Sequence, residues 1–205
     1  MSWRSYIAGQ LRQPSGRFGK LVMGRMLNRL NRPANELVLE NLRLQADDRV
    51  LEVGFGGGDM LERIAAIVTT GSICGIDASA EMVDVCRRKL NQSMDHGRLD
   101  LRCGSVERLP YPDNHFTKAC AINTIYFWPD TTQGLNELKR VLRPGGTLCI
   151  GFTGAKSMQE MAQHGFSLFE PKEMEWALEL AGFTHVSCAS RTDWRGEFYC
   201  ASGVA

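Results

Sequence analysis

The segment Val50-Leu-Glu-Val-Gly54-Phe-Gly56-Gly57-Gly58-Asp59 constrains this chain more than any other. An apolar run passes into glycines and then directly into a helical stretch, GDMLERIAAIV. Glycine lets the backbone turn sharply and come close to a ligand, and the N-terminus of the following helix is its positive end. In open α/β sheets, ligands bind in the crevice beyond the carboxyl ends of the strands, where such a turn belongs. A glycine-rich turn alone is weak evidence, because every sharp strand-to-helix turn favours glycine.

The rest of the chain repeats the alternation. RVLEVG, SICGID, RLDLRCG, FTKACAIN and GGTLCIGFT read as strands, separated by the helical stretches GDMLERIAAIV, SAEMVDVCRRKL and TTQGLNELKRVL. MEWALELAG is a further helix, and HVSCAS and GEFYCASGV are the closing strands. Strands alternating with helices of this length indicate βαβ units around a parallel sheet. The early strands are apolar almost throughout, as expected when both sheet faces are covered. Only RTDWRG joins the last two strands, too short for a parallel crossover, so they pair antiparallel. The expected fold is α/β: a doubly wound, mostly parallel seven-stranded sheet with an antiparallel C-terminal hairpin.

The first 35 residues differ. Arg4, Arg12, Arg17, Lys20, Arg25, Arg29 and Arg32 precede the first acid, Glu36. Phe18, Leu21, Val22, Met26 and Leu30 recur at helical spacing, which predicts an amphipathic helix from about residue 17 to 31. Pro33 marks a break, and Glu36 to Leu44 reads as a second short helix. The expected organisation is a basic helical lid over residues 1–35 and a ligand-binding domain over 36–205.

A length of 205 residues suits one domain, and 43% hydrophobic with 23% charged residues is ordinary for a globular protein. A net charge of +1 gives no whole-protein field to draw in nucleic acid or an anionic membrane. No stretch approaches the roughly 20 apolar residues of a membrane-spanning helix, and the first residues lack the apolar region of a secretory signal. The seven cysteines show no C-x-x-C spacing, and Cys74, Cys103, Cys120, Cys149 and Cys200 fall in apolar runs. They read as reduced structural thiols in a cytoplasmic protein. There is no H-x-x-x-H or mixed Cys/His cluster, so no metal is expected.

The spacing within the glycine loop narrows its ligand. The dinucleotide fingerprint is G-x-G-x-x-G, and Asp59 stands where its third glycine belongs. An acid there repels a pyrophosphate, and Glu52 likewise suits a cationic or neutral ligand. Asp77 follows Gly54 by 23 residues, at the end of the second strand. It has two readings: accepting from both ribose hydroxyls of an adenosine, or capping the helix that starts near Ser79. Glu52 and the glycines beside it favour the nucleoside.

With these residues in view, the chain resembles the class I S-adenosylmethionine-dependent methyltransferases, especially the branch containing the ubiquinone and menaquinone C-methyltransferases. VLEVGFGGG looks like that family's first motif and GIDASAEMV its second. GSVERLPYPDNHFTKACAINTIYFW resembles its middle region and LKRVLRPGGTL its late motif, so the likeness spans roughly residues 36–153. The resemblance implies S-adenosylmethionine as cofactor and S-adenosylhomocysteine as product. It implies Glu52, Gly54, Gly56 and Gly58 around the methionine half, Asp77 on the ribose, and Ser79 and Met82 near the adenine. Ser105 and Val106 fall along the adenine edge, and Asn123 completes the cofactor set. The family often has Asp where Ser105 stands; a serine accepts the same bond without charge. Arg143, Pro144, Gly145 and Gly146 read as a structural turn into the fifth strand.

On the acceptor side the chain reads Asn123-Thr-Ile-Tyr126-Phe-Trp128-Pro129-Asp130. This is not the N/D-P-P-Y/F sequence of amino-group methyltransferases acting on nucleobases or glutamine. Tyr126 and Trp128, each with a polar handle, are expected in the acceptor pocket, and Phe127 in the core. Met158, Met161, His164, Phe166 and Phe169 form a loop rich in Met and aromatics, of the kind that builds such pockets. Tyr126 and His164 are the candidate catalytic residues, and Tyr126, Trp128, Met161 and Phe166 the candidate pocket. A lone surface histidine is the alternative for His164; His96, His115 and His185 have no identifiable partner. The basic N-terminal helix reads as a lid, as a selector of anionic acceptors, or as a membrane-touching face.

The expected function is therefore methyl transfer to a small-molecule acceptor, by a monomer or homodimer, without nucleic acid or stable membrane insertion. A nicotinamide-dependent oxidoreductase shares the strand–glycine–helix start, but Asp59 and the closing antiparallel pair count against it. A module that binds the cofactor only to sense it is the rival from outside enzymology.

Overall fold

The computed structural model describes residues 31–90, 97–158, 167–194 and 196–205. The helix expected over 17–31 and most of the 1–35 lid therefore lie outside the described residues, as do Met161, His164 and Phe166.

The apolar run that opens the domain becomes β1 (Arg49–Val53), buried at every residue after Arg49. It is buried because it is central: β2 (Ser72–Asp77) and β4 (Phe116–Ile122) both pair with it in parallel. β3 (Leu99–Cys103) and β5 (Leu142–Thr153) extend the parallel sheet on either side. β7 (Gly196–Val204) and β6 (Thr184–Asp193) close it antiparallel, giving the order β3-β2-β1-β4-β5-β7-β6. The expected seven-stranded fold is what the chain adopts. The order of successive strands reverses between β1 and β4, so a crevice opens between their carboxyl ends.

Strand residues alternate between two apolar layers. Leu51, Val53, Ile76, Ala121 and Ile150 pack with α4 (Thr131–Val141) and α5 (Pro171–Leu180). Val50, Ile73, Cys120 and Cys149 pack with α1 (31–42), α2 (Asp59–Ile67) and α3 (Ala80–Leu90). Local signals set the helix starts: Asp130 caps α4 by accepting from the Gln133 N–H at 2.9 Å. At α5, Pro171 takes the first turn and Glu173 reaches back to the Glu170 N–H at 2.8 Å.

Three boundaries depart from expectation. Pro33 does not separate two helices: residues 31–42 are helical throughout. β5 begins at Leu142 rather than Gly145, because Leu142 pairs with Phe116 of β4 ahead of an irregularity in the register. Gly145 keeps the left-handed backbone of the expected turn, at φ +79°. The last hairpin is tighter than RTDWRG implies: Asp193 pairs with Gly196, so the loop is two residues long. Among the described residues no helix is long and apolar enough to cross a membrane.

Candidate functional site

The loop after β1 turns on three glycines in left-handed backbone: Gly54 at φ +74°, Gly56 at +47° and Gly58 at +77°. Each has a different reason to be glycine. A Cβ on Gly54 would lie 2.3 Å from Thr124 Cγ2, and one on Gly58 would lie 2.8 Å from Cys86 Sγ. A Cβ on Gly56 would meet nothing within 4 Å. Gly54 and Gly58 are thus packing glycines, and Gly56 turns the loop's open side outward. Further bonds hold the loop: the Gly54 N–H donates to the Ile76 carbonyl at 2.7 Å, and the Cys86 thiol donates to the Gly56 carbonyl at 3.1 Å.

Asp77 does more than either reading expected. One carboxylate oxygen accepts from the Ser79 N–H at 2.9 Å, at the entry to α3, and the other from the Gly56 N–H at 2.8 Å. The capping reading and a brace across the glycine loop are both realised, and each oxygen keeps lone-pair capacity for a ligand. Burial pushes the Asp77 carboxyl upward, opposed by those two N–H groups. The Ser79 oxygen in turn accepts from the Met82 N–H at 3.3 Å. Met82 and Val106 are buried, 8% and 4% exposed, while Ser105 is exposed.

Glu52 is the anomaly of the site. It is 3% exposed and its Oε2 has no hydrogen-bond partner. Burial first, then the charges of Asp77 and Asp59, raise its pKa to about 8. A buried carboxyl without a partner is costly, and it persists where a ligand meets it. Asp59 is less free than the sequence suggested. Its Oδ2 accepts from Arg63 at 2.8 Å and from Asn35 of α1 at 2.9 Å, so part of its charge is met within the protein. The exclusion of phosphates therefore falls mainly on Glu52 and Asp77.

Across the crevice, Asn123 follows β4 in left-handed backbone, at φ +53°. Its amide is held at both ends: Nδ2 donates to Asn31 Oδ1 at 2.9 Å, and Oδ1 accepts from the Tyr126 hydroxyl at 3.1 Å. The Tyr126 oxygen also accepts from the Thr153 N–H. The expected division among the aromatics is inverted. Tyr126 and Trp128 are core residues, 4% and 6% exposed, and Phe127 is the half-buried one. A 3-10 turn at Ile125–Phe127 changes the side-chain period there and swings both polar-handled rings inward. Burial drives the Tyr126 phenol up to about 12, so it is no base near neutral pH. Its oxygen instead ties the end of β5 to Asn123. Tyr126→Phe should cost about 1–3 kcal/mol in urea unfolding, by leaving the Thr153 N–H unpaired; unchanged stability would contradict this role.

His115 is also accounted for. It contacts Arg49 at 3.1 Å and stacks on Tyr111, at the start of β4 and so at the opposite end of that strand from the crevice. Several contributors left no trace readable in the chain: Thr124 against Gly54, Asn31 and Asn35 from α1, Cys86 under the loop. Each acts through a contact between residues more than 20 positions apart. No group of three or more potential metal ligands occurs among the described residues.

The residues present fit S-adenosylmethionine on this chain's own geometry. Glu52 offers an unpartnered buried oxygen to a cation, Gly56 leaves open space, and Asp77 offers remaining lone pairs beside it.

Comparison with known proteins agrees. A family model described as a methyltransferase domain matches residues 51–150. The chain is 33% identical over 122 residues to a ubiquinone/menaquinone biosynthesis C-methyltransferase of Geotalea daltonii, covering 59% of this chain and 52% of that protein. The chain thus spans about half the length of that relative. A SAM-dependent methyltransferase from Aquifex aeolicus superposes with a TM-score of 0.74 at 23% identity, over 92% of this chain and 100% of the other. A phosphoethanolamine N-methyltransferase of Haemonchus contortus, solved with S-adenosylhomocysteine, gives 0.71 at 15% identity, over 83% and 52%. With the four motifs, the seven-stranded sheet and the matched domain in agreement, residues 51–150 carry a methyltransferase domain of the class I S-adenosylmethionine-dependent type, similar to that of the quinone C-methyltransferases.

Proposed function

We propose that this protein transfers a methyl group from S-adenosylmethionine to a small-molecule acceptor. The observation that carries the reading is Glu52: a buried carboxyl with an unpartnered oxygen, beside two further acids, at the mouth of a glycine loop. With Asp59 already paired to Arg63, Glu52 and Asp77 are the carboxyls left to favour a cation. In this reading Glu52 takes the cofactor's amino group, and Gly54, Gly56 and Gly58 shape the loop around the methionine half. Asp77 holds the ribose hydroxyls, Ser79 and Met82 lie by the adenine, and Ser105 and Val106 line its edge. Asn123, immobilised by Asn31 and Tyr126, borders the reacting end.

The cofactor supplies an activated methyl on a sulfonium. The protein aligns it with the acceptor and excludes water. A base is needed only where the acceptor's proton must leave, and the candidate for that is His164. Met161, Phe166 and Trp128 remain the pocket candidates, Trp128 from the core side. The small-molecule class is supported by the relatives: a quinone-biosynthesis enzyme and a phosphoethanolamine methyltransferase both carry small acceptors in their names. A net charge of +1 gives no footing for nucleic acid. The basic lid at 1–35, a monomer or homodimer state, and a cytoplasmic setting complete the proposal. The last is supported by seven cysteines left as free thiols.

Calorimetric titration with S-adenosylmethionine, S-adenosylhomocysteine and NADH tests the reading. Saturable one-to-one binding of the first two, with none of the third, is expected; binding of NADH alone would return the loop to the oxidoreductases. Asp77→Ala should weaken S-adenosylhomocysteine binding by about 2–3 kcal/mol, because it strands ribose hydroxyls and loosens the Gly56 N–H. Unchanged affinity in that variant would remove Asp77 from the ribose.

A further inference from the structure

The Ser105 hydroxyl is not free to choose its role. Its O–H donates to Glu107 Oε2 at 3.1 Å, and its oxygen accepts from the Glu107 N–H at 3.4 Å. A serine hydroxyl has one donor and two acceptor positions. The donor and one acceptor are used, and a single lone pair remains. Glu107 is itself pinned: its Oε1 accepts from the Asp130 N–H at 2.7 Å, and its backbone carbonyl from Gln133 at 3.3 Å. The carboxylate therefore joins the loop after β3 to the cap of α4, and cannot swing away without breaking that joint. Ser105 lies at the carboxyl edge of the sheet. The neighbouring Gly104 N–H donates to the Asp77 carbonyl at 3.0 Å, which sets the exposed Ser105 beside the end of β2.

We propose that Glu107 is a positioning residue that locks Ser105 into an acceptor-only state, making the pair a specificity determinant for a ring amino group on the ligand. The inference rests on the cofactor reading above, which puts a purine edge at Ser105. A ligand donor such as an exocyclic amine meets a lone pair there. A carbonyl in the same place meets a second lone pair and repels it. The pair thus does with a neutral oxygen backed by a carboxylate what an aspartate does directly. The cost of a mismatched polar pair sets the expected scale.

The experiment compares dissociation constants for S-adenosylhomocysteine and its deaminated 6-oxo analogue. The unmodified protein should favour the amino form by about tenfold. Glu107→Gln should reduce that ratio to about twofold, because the new amide can donate to the Ser105 oxygen and free the O–H to turn toward a carbonyl. The same substitution keeps an acceptor for the Asp130 N–H, so the unfolding midpoint should hold. Ser105→Ala should also lose the preference, and Ser105→Asp should restore it. A preference unchanged in Glu107→Gln, or absent from the unmodified protein while both ligands bind, overturns the inference alone. Failure of the unmodified protein to bind S-adenosylhomocysteine overturns the cofactor reading instead. Should Glu107→Gln not fold, the Ser105→Ala and Ser105→Asp ratios decide.

Discussion

Gly54→Ala should cost about 3 kcal/mol or more of folding stability, while Gly56→Ala, two residues away, should fold and lose ligand binding. Both positions have left-handed backbone, which costs a non-glycine residue about 1–2 kcal/mol on its own. What separates them is space. The new methyl at Gly54 would sit 2.3 Å from Thr124 Cγ2 and 2.8 Å from Thr124 Cβ. Thr124 is branched at that carbon, and its hydroxyl donates to the Val53 carbonyl at 3.3 Å, so it has little room to yield. At Gly56 the methyl meets no protein atom within 4 Å and enters the open side of the loop. Urea unfolding and calorimetric binding of S-adenosylhomocysteine measure the two effects separately. Thr124→Gly in the Gly54→Ala background should recover part of the stability. A Gly56→Ala variant that binds as tightly as the parent would show that the open side of the loop is not the ligand side.

The second large effect concerns Glu52 and pH. Its pKa in the folded chain is raised from 4.5 to about 8, chiefly by burial and then by Asp77 and Asp59. A carboxyl raised on folding holds its proton more tightly in the native state. Its stabilising share is complete below pH 4.5 and drains away as pH climbs toward 8, since only the unfolded chain ionises in that window. The ligand-free protein should therefore lose a few kcal/mol between about pH 5 and 8, and Glu52→Gln should flatten that slope. Ligand binding runs the other way. A cationic amino group favours ionised Glu52, so affinity for S-adenosylhomocysteine should rise across the same window, with net proton release on binding. Calorimetry in buffers of different ionisation enthalpy reads that proton directly. In Glu52→Gln the affinity should fall by about 100-fold and lose its dependence on pH between 6 and 8. A wild-type affinity that is flat over this range would mean that Glu52 does not face the ligand's charge.

These two residues show where chain and structure divided the work. Glu52 and the glycines stood out in the chain only in combination with Asp59 and Asp77, since a glycine-rich turn alone is common, and the alternation of strands and helices gave the fold. β1, β2 and β4 announced themselves through runs that are apolar on both faces, a pattern imposed by central position in a parallel sheet. Boundaries were less legible. β5 begins three residues earlier than expected because Leu142 pairs with Phe116 of β4, across a helix and its loops. Tyr126 and Trp128 looked like a pocket wall from their place after the fourth strand and their polar handles. A three-residue 3-10 turn rotated them into the core, and no periodicity in so short a segment predicts it.

Thus the amino-acid order alone determined the α/β class, the seven strands, the antiparallel end and the glycines of the loop after β1. Those properties follow from local backbone freedom and from the period of apolar residues, both of which are written in near neighbours. Only the tertiary structure decided that Asp77 braces the Gly56 N–H, that Glu52 lacks a partner, that Tyr126 is a tie and not a base, and that Glu107 dictates the state of Ser105. Each depends on burial or on a hydrogen bond whose geometry is set by the packed chain, and hydrogen bonding and desolvation act on distance in space rather than on separation along the backbone.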